Sequence, residues 1–272
     1  MKIFMVTGDI HRSYKDRFKY YSWQRNPDFA LIVLGDLGFN WFCNENDIKL
    51  KRKICEKYSF HIYAVRGNHE ARPQNIPNMK LVYDKEVQGE VYQEDEFPNI
   101  HYFKDFGEYV INGYKTLVIG GAYSVDKYYR LSKRKNETDW SGWFPDEQLS
   151  QSEMEAAAAL CKNNEYDLIL THTCPISWEP QDLFLSYVKQ EEVDKTMENF
   201  LETEVKEKCS WRTWLFGHYH ADRIERPHVE QLYQKTYNLN DIMERWHTYD
   251  LDGTIPYYLN ISPNFYKEVD EC

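Results

Sequence analysis

Short apolar runs, each ending in a polar cluster, set the rhythm of this chain. Ile3 to Val6, Phe29 to Leu34, Ile62 to Val65, Leu168 to Leu170 and the mostly apolar Trp211 to Phe216 are too short for helices. Runs of this kind mark strands buried on both faces. The segments between the first three carry helical signals. Residues 13 to about 26 hold Phe18, Tyr21 and Trp23 and stop at Pro27, and Asn46 to Tyr58 places Ile48, Leu50 and Ile54 near helical spacing behind Asn44 or Asn46 as N-cap. Strand, helix, strand, helix, strand in that order predicts parallel crossover units in an α/β layer fold.

The middle of the chain reads differently. Residues 71 to 108 are polar, contain three prolines and give few firm elements. Tyr109 to Ile111 and Thr116 to Ile119 flank Asn112-Gly113, a hairpin signal. A polar, aromatic loop is expected from about 122 to 148, lying over something. Ser152 to Asn163 and Glu191 to Lys208 read as helices. The last fifty residues alternate polar and apolar, as in Ile255 to Ile261, and predict sheet edges. Without repeat, linker or low-complexity tract, residues 1–272 read as one domain.

Composition narrows the class. Lys and Arg number 33 against 44 Asp and Glu, a net charge of −11, which disfavours a nonspecific nucleic-acid or anionic-membrane binder. The six cysteines form no CxxC pair and read as free thiols of a reducing compartment. No secretory leader and no membrane-length apolar run is legible, so a soluble, cytoplasmic protein is expected.

Candidate chemistry gathers where the strands stop. An Asp, Asn or His follows five of the predicted strands: Asp9 and His11, Asp36, Asn68 and His69, His172, then His218 and His220. In open α/β sheets ligands bind at the carboxyl ends of strands, so these residues can converge on one rim. The donors are oxygen and imidazole without thiolate, a set that suits Mn, Fe or Zn. Asp-x-His and His-x-His put both side chains on one side of an extended segment. Asp36, on its own strand end, could bridge two ions, and a two-metal site can clamp a phosphoryl group through in-line attack. Cys174, two residues from His172, reads instead as a small buried side chain beside Pro175. Asp250-Leu251-Asp252-Gly253 lacks the rest of a calcium loop and reads as a turn. The basic cluster Lys127, Arg130, Lys133, Arg134 and Lys135 reads as a solvated loop, with a phosphate-steering lid as the alternative.

Asp9-x-His11, Gly35-Asp36, Gly67-Asn68-His69-Glu70, His172 and Gly217-His218-x-His220, in that order, resemble the calcineurin-like metallophosphoesterase superfamily. Gly120 to Lys127, followed by Trp143, Phe144, Pro145 and Glu147, is similar to its small bacterial and phage-borne members. The resemblance implies an α/β fold, a four-layer α/β/β/α sandwich of two mixed sheets flanked by helices. It implies two divalent transition-metal ions, Mn first and Fe or Zn as alternatives. Asp9, His11 and His220 would bind one, Asn68, His172 and His218 the other, and Asp36 both. A bridging hydroxide would attack phosphorus, with His69 near the leaving oxygen as general acid or phosphate contact. Glu70 would orient its neighbours or simply favour a helix start.

Two departures from the family pattern bear on function. Leu37-Gly38-Phe39-Asn40-Trp41 after Asp36 disfavours the protein serine/threonine phosphatase branch. Arg12 stands where many members have Gly, to reach a phosphate or point to solvent. The expected activity is hydrolysis of phosphate mono- or diesters, with a diester or a small phosphorylated metabolite favoured. A nuclease and a non-catalytic interaction module are the alternatives, and residues 122–148 are the expected lid or specificity insertion.

Overall fold

The computed structural model describes residues 2–18, 25–133, 142–162 and 164–253. Strands β1 (Ile3–Thr7), β2 (Phe29–Leu34) and β3 (His61–Val65) pair in parallel, joined by crossovers that hold α1 (Tyr14–Phe18) and α2 (Glu45–Lys57). The predicted helix over 13–26 is therefore seen only as Tyr14–Phe18, and residues 19–24 lie outside the described residues. Asn44 caps α2 by accepting from the Asn46 amide.

The polar stretch 71–108 supplies β4 (Met79–Asp84), β5 (Gly89–Glu94), β6 (Ile100–Phe103) and the start of β7 (Phe106–Ile111). The hairpin expected around Asn112-Gly113 is β7 with β8 (Tyr114–Ile119), and both turn residues have positive φ. Then come α3 (Lys127–Ser132), α4 (Gln151–Cys161), β9 (Glu165–Thr171), α5 (Thr196–Phe200) and β10 (Ser210–Phe216). Short strands β11 (Arg223–Arg226), β12 (Val229–Gln231) and β13 (Tyr237–Asn238) lead into α6 (Leu239–Asp252). The strand order is β13-β1-β2-β3-β6-β5-β4 in one sheet and β11-β12-β10-β9-β8-β7 in the other, and both sheets are mixed.

The period-two alternation of the strands divides their side chains among three cores. Phe4, Val6, Ala30, Ile32 and Leu34 point inward and meet Val118, Leu168, Leu170 and Leu215 from the opposite sheet. Leu31 and Val33 point outward beneath the first helices, against Phe18, Ile54 and Tyr58. Leu117, Ile119, Ile169, Trp214 and Phe216 face Met154, Ala157 and Phe200 of α4 and α5. The result is the α/β/β/α sandwich, with both faces of each central strand apolar because both are covered.

Three readings need correction. The helix expected over 191–208 starts as α only at Thr196 and widens into π-type turns over Leu201–Lys206, while residues 190–192 form a separate 3₁₀ turn. The tail has its sheet edges in β11 to β13, but α6 follows them. Its Leu239, Ile242, Met243 and Trp246 close the inner core, a helical spacing masked by the polar residues between. The 250–253 run is the end of that helix rather than a free turn, with Gly253 as a left-handed C-cap. Ile255 to Ile261 lies outside the described residues. Among the described residues no helix is long and apolar enough to cross a membrane.

Candidate functional site

The loops leaving β1, β2, β3, β9 and β10 meet at one end of the sandwich. They bring Asp9, His11, Asp36, Asn68, His69, His172, His218 and His220 together. The Asp9 carboxylate is buried, with Oδ1 accepting from the His218 amide at 2.9 Å and Oδ2 lying 3.2 Å from His220 Nε2 and 3.6 Å from His11 Nε2. Asp36 Oδ1 accepts from the His69 amide at 2.7 Å. Asp36 Oδ2 is 3.7 Å from His11 Nε2, 3.8 Å from His69 Nε2 and 3.6 Å from His172 Nε2. The His218 ring stands edge-on to His172, with centroids 4.9 Å apart.

Four of these residues reach the site through backbone that L-residues seldom adopt. His11, Asp36, His218 and His220 all have positive φ. The Asp-x-His and His-x-His pairs therefore converge through left-handed turns, not through the extended geometry expected of them. Each such residue costs roughly 1–3 kcal/mol and persists only where its surroundings over-determine it. The clustering of this strain on the donor set is itself a functional signal.

Hydrogen bonds aim the remaining donors. His172 Nδ1 donates to the Leu34 carbonyl at 2.8 Å, which leaves Nε2 facing the site, 2.9 Å from Asn68 Oδ1. The Asn68 amide nitrogen donates to Ser124 Oγ at 2.8 Å, so its oxygen also faces inward. Ser124 Oγ donates in turn to Glu147 Oε2 at 2.5 Å, and its amide donates to Oε1 at 3.0 Å. Arg66 donates to the Glu147 carbonyl at 2.7 Å and pairs with buried Asp105. Ser124 and Glu147 thus orient Asn68.

This arrangement concentrates negative charge and lone pairs in a buried space. Burial opposes ionisation of Asp9, but the imidazoles of His11 and His220 hold its pKa well below the usual carboxylate range. Asp36 is likewise held low against burial, chiefly by the charges of His69 and His172. Burial opposes protonation of His172, yet the field of Asp36 lifts it to about 9. Burial instead lowers His218 to about 3 and His69 to about 4, so the carboxylates stabilise positive charge at His172 and leave those two imidazoles neutral, as ligands or donors.

A donor set of this kind fits divalent cations. Three subsets, Asp9–His11–His220, His11–Asp36–His69 and Asp9–Asp36–His172, each keep their ligand atoms within 4.8 Å of one another. The 2.9 Å between the Nε2 atoms of His11 and His220 is close to the roughly 3.0–3.4 Å between neighbouring ligands around an ion bound at about 2.1 Å. Oxygen and imidazole donors without thiolate suit Mn, Fe or Zn.

Other readings resolve as follows. Glu70 starts no α-helix; its buried carboxylate accepts from the Gly38 and Gly67 amides at 3.2 and 3.4 Å and ties two loops together. Burial and the nearby Asp36 push its pKa up to about 7. Arg12 pairs with Asp47 and donates to the Gly38 carbonyl, so it is anchored to α2 while lining the site. Cys174 is fully buried in the outer core, as a small apolar side chain would be. Of the basic cluster, Arg134 and Lys135 lie outside the described residues.

Two neighbours of His69 are not placed in the site by the sequence, where Arg130 reads only as part of a basic cluster and Trp41 only as part of the departure after Asp36. Trp41 stacks on its ring at 5.5 Å and 19°, and Arg130 Nη2 lies 2.5 Å from its Nδ1. Arg130 also sits over the Trp41 ring and pairs with Asp126.

Gly67 is where the backbones of two motifs touch. A Cβ there would lie 2.0 Å from Asp36 Oδ1. Gly67→Ala is expected to displace Asp36, lower stability by about 1–3 kcal/mol and reduce metal content. Thermal unfolding and elemental analysis of the variant check this.

The calcineurin-like phosphoesterase family model matches residues 3–222, which contain every donor described above. No curated protein sequence matches the chain significantly. Among solved structures, the crystal structure of a phosphopantetheinyl hydrolase from Mycobacterium tuberculosis aligns with 85% of this chain and 88% of its own at 14% identity, with a TM-score of 0.42. The chain belongs to the calcineurin-like phosphoesterases and is a metal-dependent phosphoester hydrolase.

Proposed function

We propose that this protein is a dinuclear-metal phosphoesterase acting on phosphate mono- or diesters of small molecules. The observation that carries this reading is the placement of Asp36, whose one oxygen faces His11, His69 and His172 at 3.6–3.8 Å, so that two groups of donors share it. Asp9, His11 and His220 would hold one ion, Asn68, His172 and His218 the second, and Asp36 would serve both. Mn is the first choice, with Fe or Zn served by the same donors. When bound, two such ions supply an activated water at neutral pH and neutralise charge building on the phosphoryl oxygens.

The rest is the work of the chain's own groups. Arg130 can only donate, so His69 Nδ1 accepts from it and the ring proton resides on Nε2. That Nε2–H is the group placed to donate to a phosphate or leaving-group oxygen. Trp41 holds the ring plane, and Ser124 with Glu147 holds the Asn68 amide. Arg12 lines the same space from its anchor on Asp47. Residues 122–148 act as the specificity insertion of a single domain.

The nuclease reading wants a basic track for a polyanion. Arg130 is instead engaged by Asp126 and His69, and Lys127 lies over the Trp143 ring at 4.4 Å. Together with the net charge of −11, this favours small esters.

Elemental analysis should find about two transition-metal ions per chain, and bis-p-nitrophenyl or p-nitrophenyl phosphate should be hydrolysed. Protein that takes up no added Mn, Fe or Zn and cleaves neither ester defeats the proposal. Chelation should also lower the melting temperature. At a free metal level 100 times Kd, a bound ion contributes roughly 2.7 kcal/mol of stability, and re-addition of Mn should restore it. Unchanged melting after complete metal removal counts against bound ions at this site.

A further inference from the structure

Most of the donor set lines a cavity of about 660 Å³, within the usual range for small-molecule sites. The rest of the lining has a different chemistry. It is built largely from two segments, residues 123–130 and 183–193, and its unpaired surface is apolar: Tyr123, Val125, Leu183, Leu185, Tyr187 and Val188. The apolar wall begins beside the ligands themselves. Phe184 leans on Tyr219 with ring centroids 6.4 Å apart, and Tyr219 lies between His218 and His220 in the chain.

The charged residues of this wall are committed to one another. Lys195 pairs with Glu179 at 2.5 Å and reaches Gln190 at 3.3 Å. Glu198 accepts from Thr173 at 2.8 Å through Oε1, while its Oε2 has no hydrogen-bond partner among the described residues. Arg130 is held by Asp126, the Gly142 carbonyl and His69. Apart from the second Glu198 oxygen, a ligand running from the donor set along this wall meets mainly carbon.

These segments also hold most of the large apolar side chains left open to water. Of the ten exposed ones among the described residues, six fall at Val125, Tyr128, Tyr129, Leu183, Leu185 and Tyr187, and Tyr187 is 80% exposed. Single exposed apolar residues are ordinary, but four of these, Val125, Leu183, Leu185 and Tyr187, line the one cavity, and that concentration marks a binding surface.

We propose that the substrate is a single small phosphate ester whose non-phosphate portion is a bulky apolar group, aliphatic or aromatic. The phosphate sits at the donor set and the apolar group lies against the wall formed by 123–130 and 183–193. This rests on the phosphoesterase reading above. A monomeric ligand is the occupant because the cavity is of small-molecule size and the chain is acidic, which works against docking on an anionic bilayer.

The test uses the metal-loaded full chain and inorganic phosphate, methyl-, butyl- and octylphosphonate, each below its micelle concentration, with binding followed by calorimetry. Affinity should rise along the series by up to about fourfold per added methylene, and the binding heat capacity should become more negative. Leu185→Asp and Tyr187→Ala, both at exposed positions, should flatten the series. Phosphate binding with no dependence on chain length overturns the proposal and leaves the phosphoesterase reading standing. Binding of the octyl compound only when vesicles are present also overturns it, in favour of a membrane surface. Failure to bind any phosphonate, together with no hydrolysis of either nitrophenyl ester, removes the phosphoesterase reading and this proposal with it.

Discussion

Asp36→Asn is expected to abolish uptake of both metal ions and to lower turnover by at least about 10³-fold. The substitution keeps the shape of the side chain and one carbonyl-type oxygen, so the amide of His69 retains an acceptor. What disappears is the negative charge. That charge is buried, and its Oδ2 sits 3.6–3.8 Å from three imidazole nitrogens drawn from three separate motifs. It also lifts the pKa of His172 to about 9. A neutral amide at this point leaves each group of donors short of charge and removes the oxygen they share. The fold itself should persist, because Asn fills the same volume and keeps an acceptor for the His69 amide. Circular dichroism should therefore stay near that of the parent chain and melting should match that of the chelated, metal-free parent, while elemental analysis finds little metal. Two ions bound with unchanged turnover would refute the shared-ligand role.

His69→Ala is expected to separate chemistry from metal binding. Both ions should remain, because the remaining donors are untouched, while kcat falls by about 10²–10⁴-fold. The loss should depend on the leaving group. Nitrophenolate departs with little need of a proton, so nitrophenyl esters should be affected least and alkyl esters most. The variant also frees Trp41 from its stacking partner and Arg130 from Nδ1. A merely structural role for the ring would then appear as equal losses for all esters together with lower stability. Unchanged turnover would remove His69 from the reaction altogether.

Both substitutions fall on residues visible in the primary sequence, and the reason is local. A strand covered on both faces must be apolar throughout, so the point where the run stops and Asp, Asn or His begins is easy to see. The first three strands were legible in this way, as were β9 and β10. Strands β4 and β5 were not. They lie at the sheet margin, β4 alternates between exposed and half-buried positions, and their polar composition differs little from that of a loop. Helix α6 was hidden for a related reason, since only its core-facing stripe of Leu239, Ile242, Met243 and Trp246 is apolar.

Which side chains could carry the chemistry, and the order in which they occur, is legible along the chain, because donor identity and the end of an apolar run are local properties. Tertiary structure alone decided how they meet. His11 and His220 are 209 residues apart, yet their Nε2 atoms lie within 2.9 Å. The left-handed turns at His11, Asp36, His218 and His220 follow from that convergence, not from the preferences of those residues. Ser124 behind Asn68, Arg130 and Trp41 around His69, and the apolar wall facing the donors are likewise products of packing between distant segments. Local pattern encodes an element and its covered face; which elements face each other, and at what distance, depends on the closure of the two sheets over a common core.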